Sequence, residues 1–323
     1  MLRWGVLGPG RIAGRALAPA MRAAGHDLAV VGSRSLTRAQ AFAAAHGARR
    51  ARGSYEDVIA ADDVDAVYIA LPNDLHEPWA VAALQAGKHV LCEKPLGLDA
   101  AAAARIAAAA ASSGRLVMEA VMTRFHPRTA ALLDLVGSGA VGDLRTVTAT
   151  FSFTLDRPDD YRHQVRHGGG ALLDVGIYGV AMSRWLTAEE PVEVRALQRV
   201  VSPVAAVGES AGRADAATSA LLQFGSGTIA AVHAGFDTAE VQLVEILGSA
   251  GTLTVPRAFS GAADVPLLRD GEVIGTWSAD PYERMVTAFA EAVAAGARSA
   301  PLPVDDAIAT ATVLDRIAEA GRA

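Results

Sequence analysis

A lysine stands where a buried strand should end. His89-Val90-Leu91-Cys92-Glu93-Lys94-Pro95 runs from an apolar strand core, Val90 to Cys92, straight into a carboxylate, an amine and a proline. A doubly wound sheet keeps its chemistry just beyond the carboxyl ends of its strands. A lysine there, in partly buried surroundings, becomes a usable acid or base as its pKa falls. Taken alone, Glu93 and Lys94 read more readily as a solvated pair after a strand, with Pro95 starting a helix. A second stretch bears on the choice: Gly168-Gly169-Gly170 precedes a helical pattern in which Asp174 and Tyr178, four apart, share one face. A tyrosine exchanges a proton when a nearby cation lowers its pKa. Its plain alternative is a core aromatic with a satisfied hydroxyl, and for Asp174 a capping or surface carboxylate. The glycine triplet favours close approach of a ligand, with Asp174 orienting it and Arg124, Arg162 and His163 as further candidates for the pocket rim.

The N-terminus carries a phosphate-binding pattern. A strand, Leu2 to Leu7, leads into Gly8-Pro9-Gly10-Arg11-Ile12-Ala13 and then a helical pattern. Gly8 permits a tight turn, Gly10 lets a pyrophosphate approach the backbone, and Ala13 lets helix and strand pack closely. Free N–H groups at the helix start suit the phosphates. Pro19 implies a kink or a break into two short helices. The second strand, Asp27 to Val31, ends in Gly32-Ser33-Arg34-Ser35, where an acid for the ribose 2′-hydroxyl of NAD is missing. A hydroxyl and an arginine suit a 2′-phosphate instead, with Arg38 as a second cation, so NADP is expected over NAD. The plain alternative has Ser33 capping a helix from Thr37 to His46. A buried strand from Asp65 ends at Leu71, followed by Pro72-Asn73-Asp74-Leu75-His76; Asn73 and His76 then fall on the ribose and nicotinamide side, with Leu71, Glu93 and Lys94 as further cofactor contacts.

These stations need a scaffold of alternating elements. Helices from Glu77 to Ala86 and from an Asp99 cap to Ala111 separate further strands, one at Arg115 to Ala120. That alternation predicts a Rossmann-type α/β parallel sheet over residues 1–122. From Met122 the texture changes. After a helix ending near Leu135, strand patterns at Arg145–Phe153, Val192–Val200, Ala217–Phe224, Thr228–Ala234, Val241–Leu247 and Thr252–Val255 follow one another with few helices. Phe224-Gly225-Ser226-Gly227-Thr228 signals a hairpin. Residues 123–323 are therefore expected to form an α+β domain with a large, mostly antiparallel open sheet. Ser202 to Ala216 reads as a loop without a motif, Asp156 to Arg166 as a loop that shapes the substrate site. Helices near Pro281–Ala295 and Val304–Ala320 close the chain, the latter free to pack on the first domain.

Bulk properties exclude several classes. Half of the 323 residues are apolar, enough for sizeable cores, and the net charge of −6 carries no footprint for nucleic acid. The single cysteine, Cys92, allows no internal disulfide and reads as a small buried strand residue. No charged leader or membrane-spanning run is evident, so a cytoplasmic protein is expected. The histidines lack metal-ligand spacing, and no metal is expected.

Together these residues resemble the glucose–fructose oxidoreductase/inositol dehydrogenase (Gfo/Idh/MocA) family over essentially the whole chain. Gly8-Pro9-Gly10-Arg11-Ile12-Ala13 is similar to its cofactor turn, Glu93-Lys94-Pro95 to its signature tripeptide, and Gly168 to Tyr178 to its substrate-domain helix. Tyr178, where many members have histidine, and Glu119-Ala120-Val121-Met122-Thr123-Arg124-Phe125-His126-Pro127 look more like the dihydrodiol dehydrogenase and NADP-dependent xylose dehydrogenase branch. The resemblance implies Lys94 and Tyr178 as a catalytic pair and a cis peptide at Lys94-Pro95. It also implies a homodimer or homotetramer built through the open sheet face. The expected activity is NADP-dependent hydride transfer at a hydroxyl-bearing carbon of a sugar, polyol or cyclic diol. Tyr178 or Lys94 would take the proton. A sugar–sugar oxidoreductase that never releases its nucleotide, or a non-catalytic NADP sensor, are the alternatives.

Overall fold

A computed structural model of the chain describes residues 1–200, 214–260 and 264–322. Two compact units emerge: Met1–Met122 with Asp280–Ile308, and Thr123–Ala279 with Ala309–Ala323.

The first unit is built on six parallel strands, β1 (Arg3–Leu7), β2 (Asp27–Gly32), β3 (Arg50–Arg52), β4 (Ala66–Ile69), β5 (His89–Cys92) and β6 (Val117–Glu119), in the order β3-β2-β1-β4-β5-β6. The order reverses between β1 and β4, which opens a crevice at their carboxyl ends. Helices cover both faces, so the central strands are buried at nearly every residue rather than alternately. Asp99 caps the alanine-rich helix Ala100–Ser113 by accepting from the Ala102 N–H at 2.7 Å, and left-handed Gly114 ends it. Pro19 does not break its helix: a π-turn over Ala13–Leu17 runs directly into an α-helix over Ala18–Ala23, with αR backbone at Leu17 and Ala18, and the proline stands just after that change of turn. The helix Pro281–Ala294 belongs with this unit, burying Met285, Val286 and Phe289, the last 5.7 Å from Trp4 between ring centres.

The second unit carries eight strands, β7 (Leu144–Ser152), β8 (Pro191–Val200), β9 (Asp215–Phe224), β10 (Ile229–Gly235), β11 (Val241–Gly248), β12 (Thr252–Pro256), β13 (Val265–Arg269) and β14 (Glu272–Trp277). They lie in the order β14-β13-β12-β11-β7-β10-β9-β8, antiparallel except for the β7–β10 pair. The β9–β10 hairpin closes with the Phe224 N–H donating to Thr228 O at 2.9 Å. Burial alternates along β9, so one face packs and the other is open. The helix Ile177–Thr187 lies on the packed face, and a side chain at Gly179 would come within 2.8 Å of Val232 on β10. The expected loop from Ser202 falls mostly outside the described residues; Asp215 and Ala216, assigned to it, instead begin β9.

No helix among the described residues is long and apolar enough to cross a membrane.

Candidate active site

Each station in the first unit is a strand's carboxyl end. At β1 the chain turns through Gly8 at φ +92°, with the Gly10 N–H donating to Gly8 O at 2.8 Å. A side chain at Gly8 would meet Ala70 O at 2.6 Å, so only glycine fits. At Gly10 the same construction meets nothing nearer than Ala70 O at 3.5 Å. Gly10 therefore leaves room beside the backbone, the opening a pyrophosphate needs, while Pro9, Arg11 and Ile12 form the half-exposed to exposed rest of the turn.

At β2, the helix Leu36–His46 is capped by Ser35, whose Oγ accepts from the Arg38 N–H, and not by Ser33. Ser33 is buried one step earlier, its Oγ accepting from the Ser35 N–H at 3.2 Å and its N–H donating to Arg52 O at 3.1 Å. Arg34 and Arg38 are exposed, and among the described residues neither belongs to an ion pair.

At β4 and β5 the loops are tied to each other. His76 is fully buried, with Nδ1 2.7 Å from Pro95 O and Nε2 2.9 Å from Leu71 O. Burial lowers its pKa below the usual histidine range. Both ring nitrogens are turned to backbone carbonyls, so His76 joins the two loops. Asn73 is buried beside it in sequence, on a short 3₁₀ turn. Glu93 is buried as well, its carboxylate accepting a hydrogen bond from the Tyr68 hydroxyl; burial and then the Glu93 charge push the Tyr68 phenol well up. The solvated-pair alternative for Glu93 and Lys94 therefore fails on its first member. The Lys94-Pro95 peptide is cis, and the Leu96 N–H donates to Glu119 Oε1 at 2.6 Å. Thus three buried side chains from three elements hold the loop around Lys94: Tyr68 through Glu93, His76 through Pro95 and Glu119 through Leu96. Lys94 itself is half-buried.

In the second unit Tyr178 is buried among rings. Phe151 lies 5.6 Å and Phe259 5.7 Å from it between centroids, and those two stack on each other at 5.4 Å. Asp174 lies on a π-turn, Leu172–Gly176, rather than on the regular helix expected. Such turns are rare and often found at functional sites. Its Oδ2 accepts from Arg162 Nε at 2.8 Å, and Arg162 also donates to Asp160 at 3.1 Å. Arg162, expected at the rim, is thus brought to Asp174, whereas Arg124 lies over the Trp185 ring at 5.7 Å. His163 stays half-exposed on the 3₁₀ turn Tyr161–His163.

The glycine triplet has an internal cause. A side chain at Gly169 would stand 2.4 Å from Arg162 O, and one at Gly170, at φ +121°, would stand 2.1 Å from Asp215 Oδ1. Asp215 in turn accepts from the Leu172 N–H at 2.8 Å and from Thr218 Oγ1 at 2.7 Å. The space expected for a ligand at these two glycines is filled by the protein's own carbonyl and carboxylate.

Glu119, Tyr68 and Phe259 did not stand out in the sequence as site residues. Only Glu119 left a signal there, a lone acid in the apolar run Leu116 to Met122. Among the described residues no group of three His, Cys, Asp or Glu side chains is placed to hold a metal ion.

Residues 2–121 match the oxidoreductase family with an NAD-binding Rossmann fold, and residues 129–254 match the GFO/IDH/MocA C-terminal domain. The chain is 38% identical over 303 residues to D-xylose 1-dehydrogenase (NADP(+)) 2 of Haloferax volcanii, covering 91% of this chain and 90% of that one. It is 37% identical over 205 residues to trans-1,2-dihydrobenzene-1,2-diol dehydrogenase of Mus musculus, covering 62% of this chain and 60% of that one. A solved 3-ketoreductase from Actinomadura kijaniata, in complex with NADP and TDP-benzene, superposes with a TM-score of 0.88 at 32% identity, covering 99% of this chain and 97% of that one. The chain belongs to the Gfo/Idh/MocA oxidoreductase family, and its relatives include xylose and dihydrodiol dehydrogenases, the branch its residues resemble.

Proposed function

We propose that the chain is an NADP-dependent oxidoreductase that moves a hydride between nicotinamide and a hydroxyl-bearing carbon of a sugar, polyol or cyclic diol. The observation that carries this is the Lys94 loop, a half-buried amine held at the carboxyl end of β5 by three buried side chains. The Gly8–Ile12 turn would take the pyrophosphate, with the open side of Gly10 toward it. Ser33, Arg34 and Arg38 would take the 2′-phosphate, since no carboxylate stands at the end of β2 to bind a 2′-hydroxyl. Leu71, Asn73, His76 and Glu93 would shape the ribose and nicotinamide side. The D-xylose dehydrogenase and the 3-ketoreductase above, named with NADP, support the same choice.

When bound, the nicotinamide supplies the hydride acceptor or donor. The protein handles the proton. In one route Tyr178 takes the hydroxyl proton and the Lys94 cation stabilises the phenolate; in the other Lys94 takes it and Tyr178 orients the oxygen. Asp174, held by Arg162, would accept from substrate hydroxyls. Under this proposal residues 1–122 serve the nucleotide and 123–323 the substrate. Self-association would use the outward face of the eight-stranded sheet, where Leu197, Leu221 and Val273 are exposed.

Aldoses, inositols and cyclic diols are screened with NADP+ by the absorbance of NADPH formed. On the best substrate, Lys94→Ala and Tyr178→Phe each lower kcat by roughly 10²–10⁴-fold, with the Kd for NADP+ within about twofold of wild type. Wild-type turnover in either variant overturns the assignment.

A further inference from the structure

A buried carboxylate, Glu119, holds the loop that carries Lys94. It ends β6 beside Cys92 of β5, is 3% exposed, and accepts the Leu96 N–H at 2.6 Å. Leu96 lies two residues past Lys94, across a proline that fixes the intervening backbone. We infer that Glu119 is a positioning residue, holding Leu96 and through it the Lys94 amine where proton transfer requires it. This rests on the proposed role of Lys94.

The geometry makes the hold pH-sensitive. An N–H donating to a carboxylate is roughly twice as strong as one donating to a neutral acid. Burial raises the Glu119 carboxyl to about 7. The groups facing it are Asp306, from the C-terminal helix, and Glu93, which favour the neutral acid, and Lys94, which favours the ion. Cys92, on the neighbouring strand, has its thiol pushed well up by burial and stays neutral. The carboxyl is thus raised in the folded protein, ionised above about 7 and protonated below it. The strong bond to Leu96 and the negative charge near Lys94 are both present on the alkaline side and fade as pH falls through that value.

Glu119→Gln keeps an acceptor oxygen of the same reach and removes the ionisation. Wild-type kcat should fall as pH is lowered through about 7. In Glu119→Gln the limb should move away from about 7, because only the proton acceptor, Lys94 or Tyr178, then titrates, leaving a kcat about 10-fold below wild type at the alkaline end and an unchanged Kd for NADP+. Glu119→Asp, which keeps the charge and withdraws the oxygen by one methylene, should retain a limb at reduced kcat; it serves if the glutamine variant fails to fold. A Glu119→Gln profile that parallels wild type, or an aspartate variant without a limb, overturns the inference. Lys94→Ala separates the two claims. Loss of turnover there with an unaltered Glu119→Gln profile removes only the inference, whereas wild-type turnover in Lys94→Ala removes the role of Lys94 itself.

Discussion

Arg128 is a buried cation that holds backbone rather than a carboxylate, and its replacement tests how the Tyr178 wall is built. The side chain is 1% exposed. Its guanidinium donates to three consecutive carbonyls from the end of β12 onward: Pro256 at 3.2 Å, Arg257 at 3.3 Å and Ala258 at 3.0 Å. Hydrogen bonds from a charged donor contribute about 1.5–3 kcal/mol each, and these are long, so three give on the order of 5 kcal/mol. Against this stands the cost of burying the charge, since burial first and then Arg257 pull the guanidinium down to about 10, which corresponds to roughly 3 kcal/mol. Arg128→Met removes both effects and also strands three carbonyls, so the bonds win and stability drops by about 2–4 kcal/mol. Arg128→Lys keeps the burial cost but places a compact ammonium that cannot span three acceptors, so it should be no more stable than the methionine variant. Urea unfolding followed by circular dichroism and by the fluorescence of Trp185 and Trp277, both in the second unit, measures the order. Turnover should fall under native conditions as well, because the clamp holds Arg257 at a left-handed φ of 50° just before Phe259, the ring packed on Tyr178. An Arg128→Lys protein with the wild-type urea midpoint would refute this account.

Arg34→Ala should raise KM for NADP+ about 10-fold, the weight of one lost charge-assisted bond, and leave KM for NAD+ within about a factor of two; equal effects on both would remove the 2′-phosphate role. Gly170→Ala combines a left-handed φ with a side chain 2.1 Å from Asp215 Oδ1 and should lower stability by about 2–4 kcal/mol. A thermal midpoint equal to wild type would mean that Asp215 moves aside at no cost.

Where local rules governed, the elements were legible in the chain. The Asp99 cap, the Gly114 stop and the Phe224–Thr228 hairpin each depend on residues within one turn of one another. Two strand regions escaped notice for different reasons. Arg50–Arg52 is three half-exposed residues with no period to detect. β13 and β14 did have a signal, Asp270-Gly271, whose φ values of 51° and 88° are those of a tight hairpin turn. Ser33 and Ser35 are both good caps in sequence; the turn after β2 placed the second at the helix start.

For the site, the chain by itself determined which residue types stand at the strand ends: Gly8 and Gly10 after β1, Ser33 and Arg34 without an acid after β2, Lys94 and Pro95 after β5. Those identities follow from turn chemistry and from the strand-then-loop order, which are properties of neighbouring residues. Only the tertiary structure decided what those residues lean on. It turned Glu93 inward to Tyr68, His76 onto two carbonyls, Glu119 onto Leu96, and the glycine triplet toward Arg162 and Asp215 instead of a ligand. Each of these pairings joins residues on different elements. Their partners are chosen by strand order and by the demand that every buried polar group be satisfied, which no local pattern encodes.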